Sequence, residues 1–107
     1  MPRDKKTILE QVAMKAIRLG ADELEVDYKD GREVVFAMKS GIGVGIANLL
    51  GSSRQAGALR RELYALTKKK RRVMIDDRTY DLRVHIFDSF GEDAFRVELR
   101  RPKLSVK

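Results

Sequence analysis

Val73-Met74-Ile75-Asp76-Asp77-Arg78-Thr79-Tyr80-Asp81-Leu82-Arg83-Val84-His85-Ile86 sets two runs of alternating residues on either side of a pair of aspartates. Val73 and Ile75 share one phase before Asp76-Asp77, and Tyr80, Leu82, Val84 and Ile86 share one phase after it. Period two with turn chemistry between the runs predicts a β-hairpin that buries one face. Toward the C-terminus, residues 87–93 with Gly91 read as a loop. Phe95, Val97 and Leu99 then resume the alternation until Pro102 ends the strand. Toward the N-terminus, Ala56, Leu59, Leu63 and Leu66 recur at helical spacing, which predicts a helix opened by a Ser52–Gln55 capping box and running to about Lys69. Its last turn would carry lysines that complement the helix dipole.

Residues 40–51 hold four glycines among small apolar residues, a composition that reads as a loop with at most one short strand. Before them, Leu24, Val26 and Tyr28 alternate with acids, Lys29-Asp30-Gly31 supplies a tight turn, and Val34, Phe36 and Met38 continue the apolar phase, predicting another hairpin. Ile8, Leu9, Val12, Ala16 and Leu19 mark an amphipathic first helix with a Thr7–Glu10 capping box, closed by Gly20. The expected fold is α+β: an antiparallel sheet with two main helices on one face, in the order α-β-β-(loop)-α-β-β-β. Residues 1–107 read as one domain, with 101–107 a flexible basic tail.

The chain has 107 residues and 43% hydrophobic content, enough for one modest core. It contains no cysteine, so disulfides and thiolate metal sites are excluded, and the lone His85 builds no zinc site by itself. No apolar stretch is long enough to cross a bilayer and no signal-peptide core follows the N-terminus, so the expected compartment is the cytoplasm, with no membrane insertion. The formal net charge of +7 favours polyanions or acidic protein surfaces. The excess is concentrated in Lys68-Lys69-Lys70-Arg71-Arg72 and in Arg100, Arg101, Lys103 and Lys107.

Candidates for chemistry are few. Gly41-Ile42-Gly43-Val44-Gly45 lacks the lysine and hydroxyl of a phosphate loop and the spacing of GxGxxG, so a structural role is favoured. His85, on the polar phase near Asp81 and Asp88, has no activatable nucleophile at motif spacing and reads as an ordinary exposed histidine. Glu23, Glu25 and Asp27 form a row that reads as a solvated sheet face rather than a cation site. The basic run at 68–72 is the best candidate for contact with phosphate or with an acidic protein. It has no interleaved aromatic residues, which disfavours base stacking and puts nucleic acid second to protein as a partner. No cofactor is expected.

Two stretches resemble the domain that precedes the motor domain in secretion ATPases of type II secretion and type IV pilus systems. Gly20-Ala21-Asp22-Glu23-Leu24-Glu25-Val26-Asp27 is similar to that family's Gly-Ala-Ser-Asp-Ile-His-Ile-Glu. The second stretch runs from Arg72 to Val84, with Asp81-Leu82-Arg83-Val84, and continues to Gly91-Glu92; it resembles the family's Asp-Leu-Arg-Val-Ser segment and following strand. The resemblance spans about Ile8 to Arg100. Glu25 stands where histidine is usual, Met38-Lys39-Ser40-Gly41 replaces Arg-Ile-Asp-Gly, and the motor domain is missing. The resemblance implies a domain that packs against motor domains and whose arginines approach a nucleotide held by one of them. Arg83 matches the motif arginine and Lys70 falls where another is usual, so these residues could assist only in trans. The expected function is a noncatalytic interaction module, with Lys68, Lys69, Lys70, Arg71, Arg72, Arg78 and Arg83 as contact residues. Its partner would be a secretion or pilus motor ATPase or a second copy of the chain.

Overall fold

A computed structural model describes residues 6–102. Its elements are α1 (Ile8–Arg18), β1 (Glu23–Lys29), β2 (Arg32–Lys39), β3 (Ile42–Leu50), α2 (Arg54–Ala65), β4 (Arg71–Ile75), β5 (Arg78–Ser89) and β6 (Glu92–Arg100). The six strands form one antiparallel sheet in the order β3-β2-β1-β6-β5-β4. Both helices lie over one face and share a single core with it. The α+β class, the antiparallel sheet and the one-sided helices are as expected. Of the tail expected over 101–107, Arg101 and Pro102 follow β6 outside any helix or strand, and 103–107 lie outside the described residues. No described helix is long and apolar enough to cross a membrane.

The helix starts follow from their caps. Thr7 Oγ1 accepts from the Glu10 amide at 3.1 Å while Glu10 Oε1 accepts from the Thr7 amide at 3.1 Å, which completes the expected capping box. In α2 the cap is Ser53, whose hydroxyl accepts from the Ala56 amide at 3.1 Å, one residue later than the Ser52–Gln55 box proposed from the pattern. This helix also ends at Ala65, so Lys68, Lys69 and Lys70 lie beyond it in the link to β4.

Four two-residue turns join the hairpins, at Asp30-Gly31, Ser40-Gly41, Asp76-Asp77 and Phe90-Gly91, and every one of these residues has a positive φ. This is the left-handed pair that a type I′ turn requires, and its twist matches that of the strands it joins. The loop expected over residues 87–93 is therefore mostly strand: β5 runs on to Ser89 and β6 starts at Glu92.

The expected loop at 40–51 is also a strand. β3 pairs with β2 from Lys39↔Ile42 to Arg32↔Leu50, with a bulge between Val35 and Phe36. Glycines weaken a strand because they offer nothing to pack. Here Met38 and Phe36 stand directly opposite Gly43 and Gly45 and lend them cover; a Cβ on Gly43 would sit 2.7 Å from the Met38 sulfur. The same arrangement corrects the phase of β2. Val34, Phe36 and Met38 lie on the helix-free face, while Glu33, Val35 and Ala37 are buried toward the helices.

Candidate functional site

On the helix-free face, Glu23, Glu25 and Asp27 of β1 lie between Met38, Phe36 and Val34 of β2 and Glu98 and Arg96 of β6. β5 contributes Asp81, Arg83, His85 and Phe87 to this face, and β4 contributes Arg72 and Met74. Among the described residues, no three carboxylate or imidazole groups are placed to hold a metal ion.

The expected basic run divides into two halves with different jobs. Arg71 Nη1 reaches Glu62 Oε2 at 2.6 Å and Glu10 Oε2 at 3.6 Å, and Glu62 Oε1 also accepts from the Leu9 amide at 3.2 Å. This arginine therefore ties β4 to both helices. Arg72 holds Asp81 through two hydrogen bonds of 2.9 and 3.3 Å, with Lys70 Nζ 3.4 Å from the same carboxylate. The Arg72 hydrogen bond holds the Asp81 carboxyl below the usual aspartate value. Across the β4–β5 ladder Arg72 stands opposite Asp81 and claims it. His85, expected near Asp81 and Asp88, meets Glu98 through Nε2 at 2.9 Å, and Glu98 is also held by Arg100 at 2.9 Å.

Lys68, Lys69 and Arg83 have no ion pair among the described residues. The fold brings them together because β4 is short: it covers β5 only from Arg78 to Leu82, so the edge of β5 beyond Leu82 is left to the link that follows α2. Thr67 steadies that link by donating its hydroxyl to the Tyr64 carbonyl at 2.8 Å. The result is a recess of about 200 Å³ bordered by Thr67, Lys68, Lys69, Lys70, Arg83 and His85. Arg78 is not part of it, since it lies five steps along the strand, about 17 Å, from Arg83. Thr67 and His85 were not among the expected contact residues, because only the pairing of β4 with β5 places the link against residues 83–85.

A larger hollow, about 740 Å³, lies between the start of α1 and the β4–β5 turn. Its lining charges, Lys6, Glu10, Arg72, Asp76 and Asp77, are mixed in sign, with Asp76 bound by Arg18 at 2.6 Å and Glu10 approached by Arg71, so it offers little net field. The smaller recess is the one with cations to spare.

The acidic row on β1 has a consequence for stability. Burial, and then repulsion from Asp27, raises the Glu25 carboxyl above its ordinary value, against the pull of Arg96. Such a group adds stability that is complete below its unfolded value and lost as pH rises through the folded one. Asp76 and Asp81 are lowered, mainly by their hydrogen bonds to Arg18 and Arg72, so their contributions hold above the ordinary aspartate value and vanish as pH falls through the lowered ones. Stability should thus peak in mildly acidic solution. Glu25→Gln should raise the melting temperature at pH 7 and lose that advantage near pH 4. Identical melting profiles for the two proteins across this range would contradict the assignment.

No known protein-family model matches the chain, and a search of curated proteins found no match to it.

Proposed function

We propose that this chain is a noncatalytic interaction module that receives a carboxylate-rich segment of a partner protein in the recess between residues 67–70 and β5. The observation that carries the reading is the convergence of Lys68, Lys69 and Arg83 on one recess while the nearby carboxylates, Asp81 and Glu98, are already bound by other cations. A guanidinium with no partner of its own can meet a carboxylate through two parallel hydrogen bonds, and flanking ammonium groups add attraction without demanding one geometry.

An acidic peptide suits this site better than nucleic acid. The recess is small and lacks an aromatic platform on which bases could stack. A longer polyanion leaving it across the helix-free face would meet Glu98, Glu23, Glu25 and Asp27. The resemblance to the pre-motor domains of secretion ATPases makes a motor ATPase of a secretion or pilus system the first partner to try, and such a partner is met in the cytoplasm.

Arg83 provides the test. It is exposed, so Arg83→Ala should change folding stability by less than about 0.5 kcal/mol. The same change should weaken binding of a fluorescein-labelled glutamate-rich peptide at least about fivefold, more than about 1 kcal/mol, in an anisotropy titration. Equal affinity of mutant and wild type for the peptide would remove the recess from the binding surface. Tighter binding to a duplex oligonucleotide than to the peptide, weakening steeply with salt, would favour the nucleic-acid reading.

A further inference from the structure

The two edges of the sheet are unlike. The β4 edge is five residues long and carries Arg71 and Arg72, whereas β3 is nine residues long and has no charged side chain from Ile42 to Leu50. Short length and charge are the usual protections of an edge against pairing with another strand. β3 has neither, in a chain of net charge +7. Ile42 and Val44 are 71% and 55% exposed, and they border an apolar groove with Leu19, itself 61% exposed, on the helix side of the edge.

Lys15 of α1 approaches the Ile46 carbonyl at 3.5 Å, and among the described residues the outward backbone groups of Gly43 and Gly45 are unpartnered. The two-residue turn at Ser40-Gly41 makes Lys39 and Ile42 the hydrogen-bonded pair beside it. Hydrogen bonding alternates along an antiparallel strand, so Ile42 and Val44 direct their amides and carbonyls to β2, and Gly43 and Gly45 direct theirs outward. Neither glycine has a positive φ. A Cβ on Gly45 would make only an ordinary 4.0 Å contact with Phe36, and at Gly43 the obstacle is the flexible end of Met38. Nothing within one copy demands glycine at 45. Glycine within a strand often marks a place where another backbone comes close.

The sequence of the edge identifies that backbone. Ile42-Gly43-Val44-Gly45-Ile46 reads the same in both directions. We infer that β3 is a self-association edge, on which two copies of the chain join antiparallel about a twofold axis through Val44. In this register Gly43 faces Gly45 of the second copy as a hydrogen-bonded pair, and Gly45 faces Gly43, so all the outward amides and carbonyls of the segment are satisfied. On the helix side Val44 meets Val44 and Ile42 meets Ile46, so like side chains cover one another. The bulge after Gly45 ends the ladder, which keeps it to these five residues. The joined sheet has twelve strands. The anion recess lies at the far edge of each copy, so this inference stands or falls independently of the proposed docking site.

The absence of cysteine from the sequence allows a test specific to this register. A non-hydrogen-bonded antiparallel pair has Cα atoms about 4.5 Å apart, within the range a disulfide spans. Val44→Cys should therefore oxidise quickly to a covalent dimer, and Ile42→Cys, which faces Ile46 instead of its own copy, should do so much more slowly. In sedimentation equilibrium the wild type should dimerise, more tightly as salt rises, because the ladder has no ion pair and the copies carry like charge. Val44→Lys, at an exposed position, should leave the melting temperature of the dilute protein unchanged and weaken dimerisation at least about 100-fold. The inference is overturned by a wild type that stays monomeric at millimolar concentration, by equal crosslinking of the two cysteine variants, or by a dimer that Val44→Lys does not disturb.

Discussion

Arg60→Ala should destabilise the chain by about 3 kcal/mol, the cost of leaving a buried charge without its partner, and lower the melting temperature by roughly 15 °C. The charge left behind is Glu33, which is 1% exposed beneath α2. Arg60 Nη1 donates to Glu33 Oε2 at 2.7 Å, while Glu33 Oε1 has no hydrogen-bond partner among the described residues. The arginine also sits near three aromatic rings, 5.5 Å from the centre of Phe95, 5.7 Å from Tyr64 and 5.9 Å from Tyr28. Burial works against the Arg60 charge, and the hydrogen bond and attraction of Glu33 more than offset it, so its pKa is raised overall. Replacing both partners with apolar residues of similar size, as in Glu33→Leu with Arg60→Met, should recover most of the loss, because no buried charge remains. A double variant no more stable than Arg60→Ala would show that the cations over the rings, rather than the ion pair, hold α2 to the sheet.

Phe95→Ala should cost about 4 kcal/mol, read as a shift in urea midpoint with little change in slope. Phe95 is fully buried on β6, a central strand, paired with Val26 on one side and Ile86 on the other. Tyr64 of α2 meets its ring edge-on at 5.1 Å, so the side chain joins sheet to helix at the middle of the core. Removing it leaves a cavity that neighbouring strands, fixed by their ladders, can only partly close. Arg60 packs over the same ring, so the two substitutions should not add, and the double variant should lose at least about 0.5 kcal/mol less than their sum. Strict additivity would contradict the contact.

The parts of this fold that were legible in the sequence are those where one local rule applied without competition. Thr7 and Glu10 capped α1 as their spacing suggested, and Asp30-Gly31 made its turn. β3 was hidden because glycine signals a loop, and the cover from Phe36 and Met38 comes from the neighbouring strand. The phase of β2 was misread for a related reason. Phe36 and Met38 are apolar because they shield glycines on the outer face, while Glu33 tolerates the inner one only because Arg60 reaches it from α2. In the candidate site, the lysines and Arg83 were visible as charges. Which of them were free depended on cross-strand pairing: Asp81 went to Arg72, Glu62 to Arg71, and the shortness of β4 let residues 67–70 border Arg83 and His85.

The docking site is tested most directly by following backbone amide resonances of the isotopically labelled chain as an unlabelled glutamate-rich peptide is added. The largest shifts should fall on Thr67, Lys68, Lys69, Lys70 and on Arg83 to His85, with saturation at a common peptide concentration and little movement at Arg78 or along β3. Shifts spread evenly over exposed lysines and arginines without saturation, or centred on residues outside the recess, would contradict it.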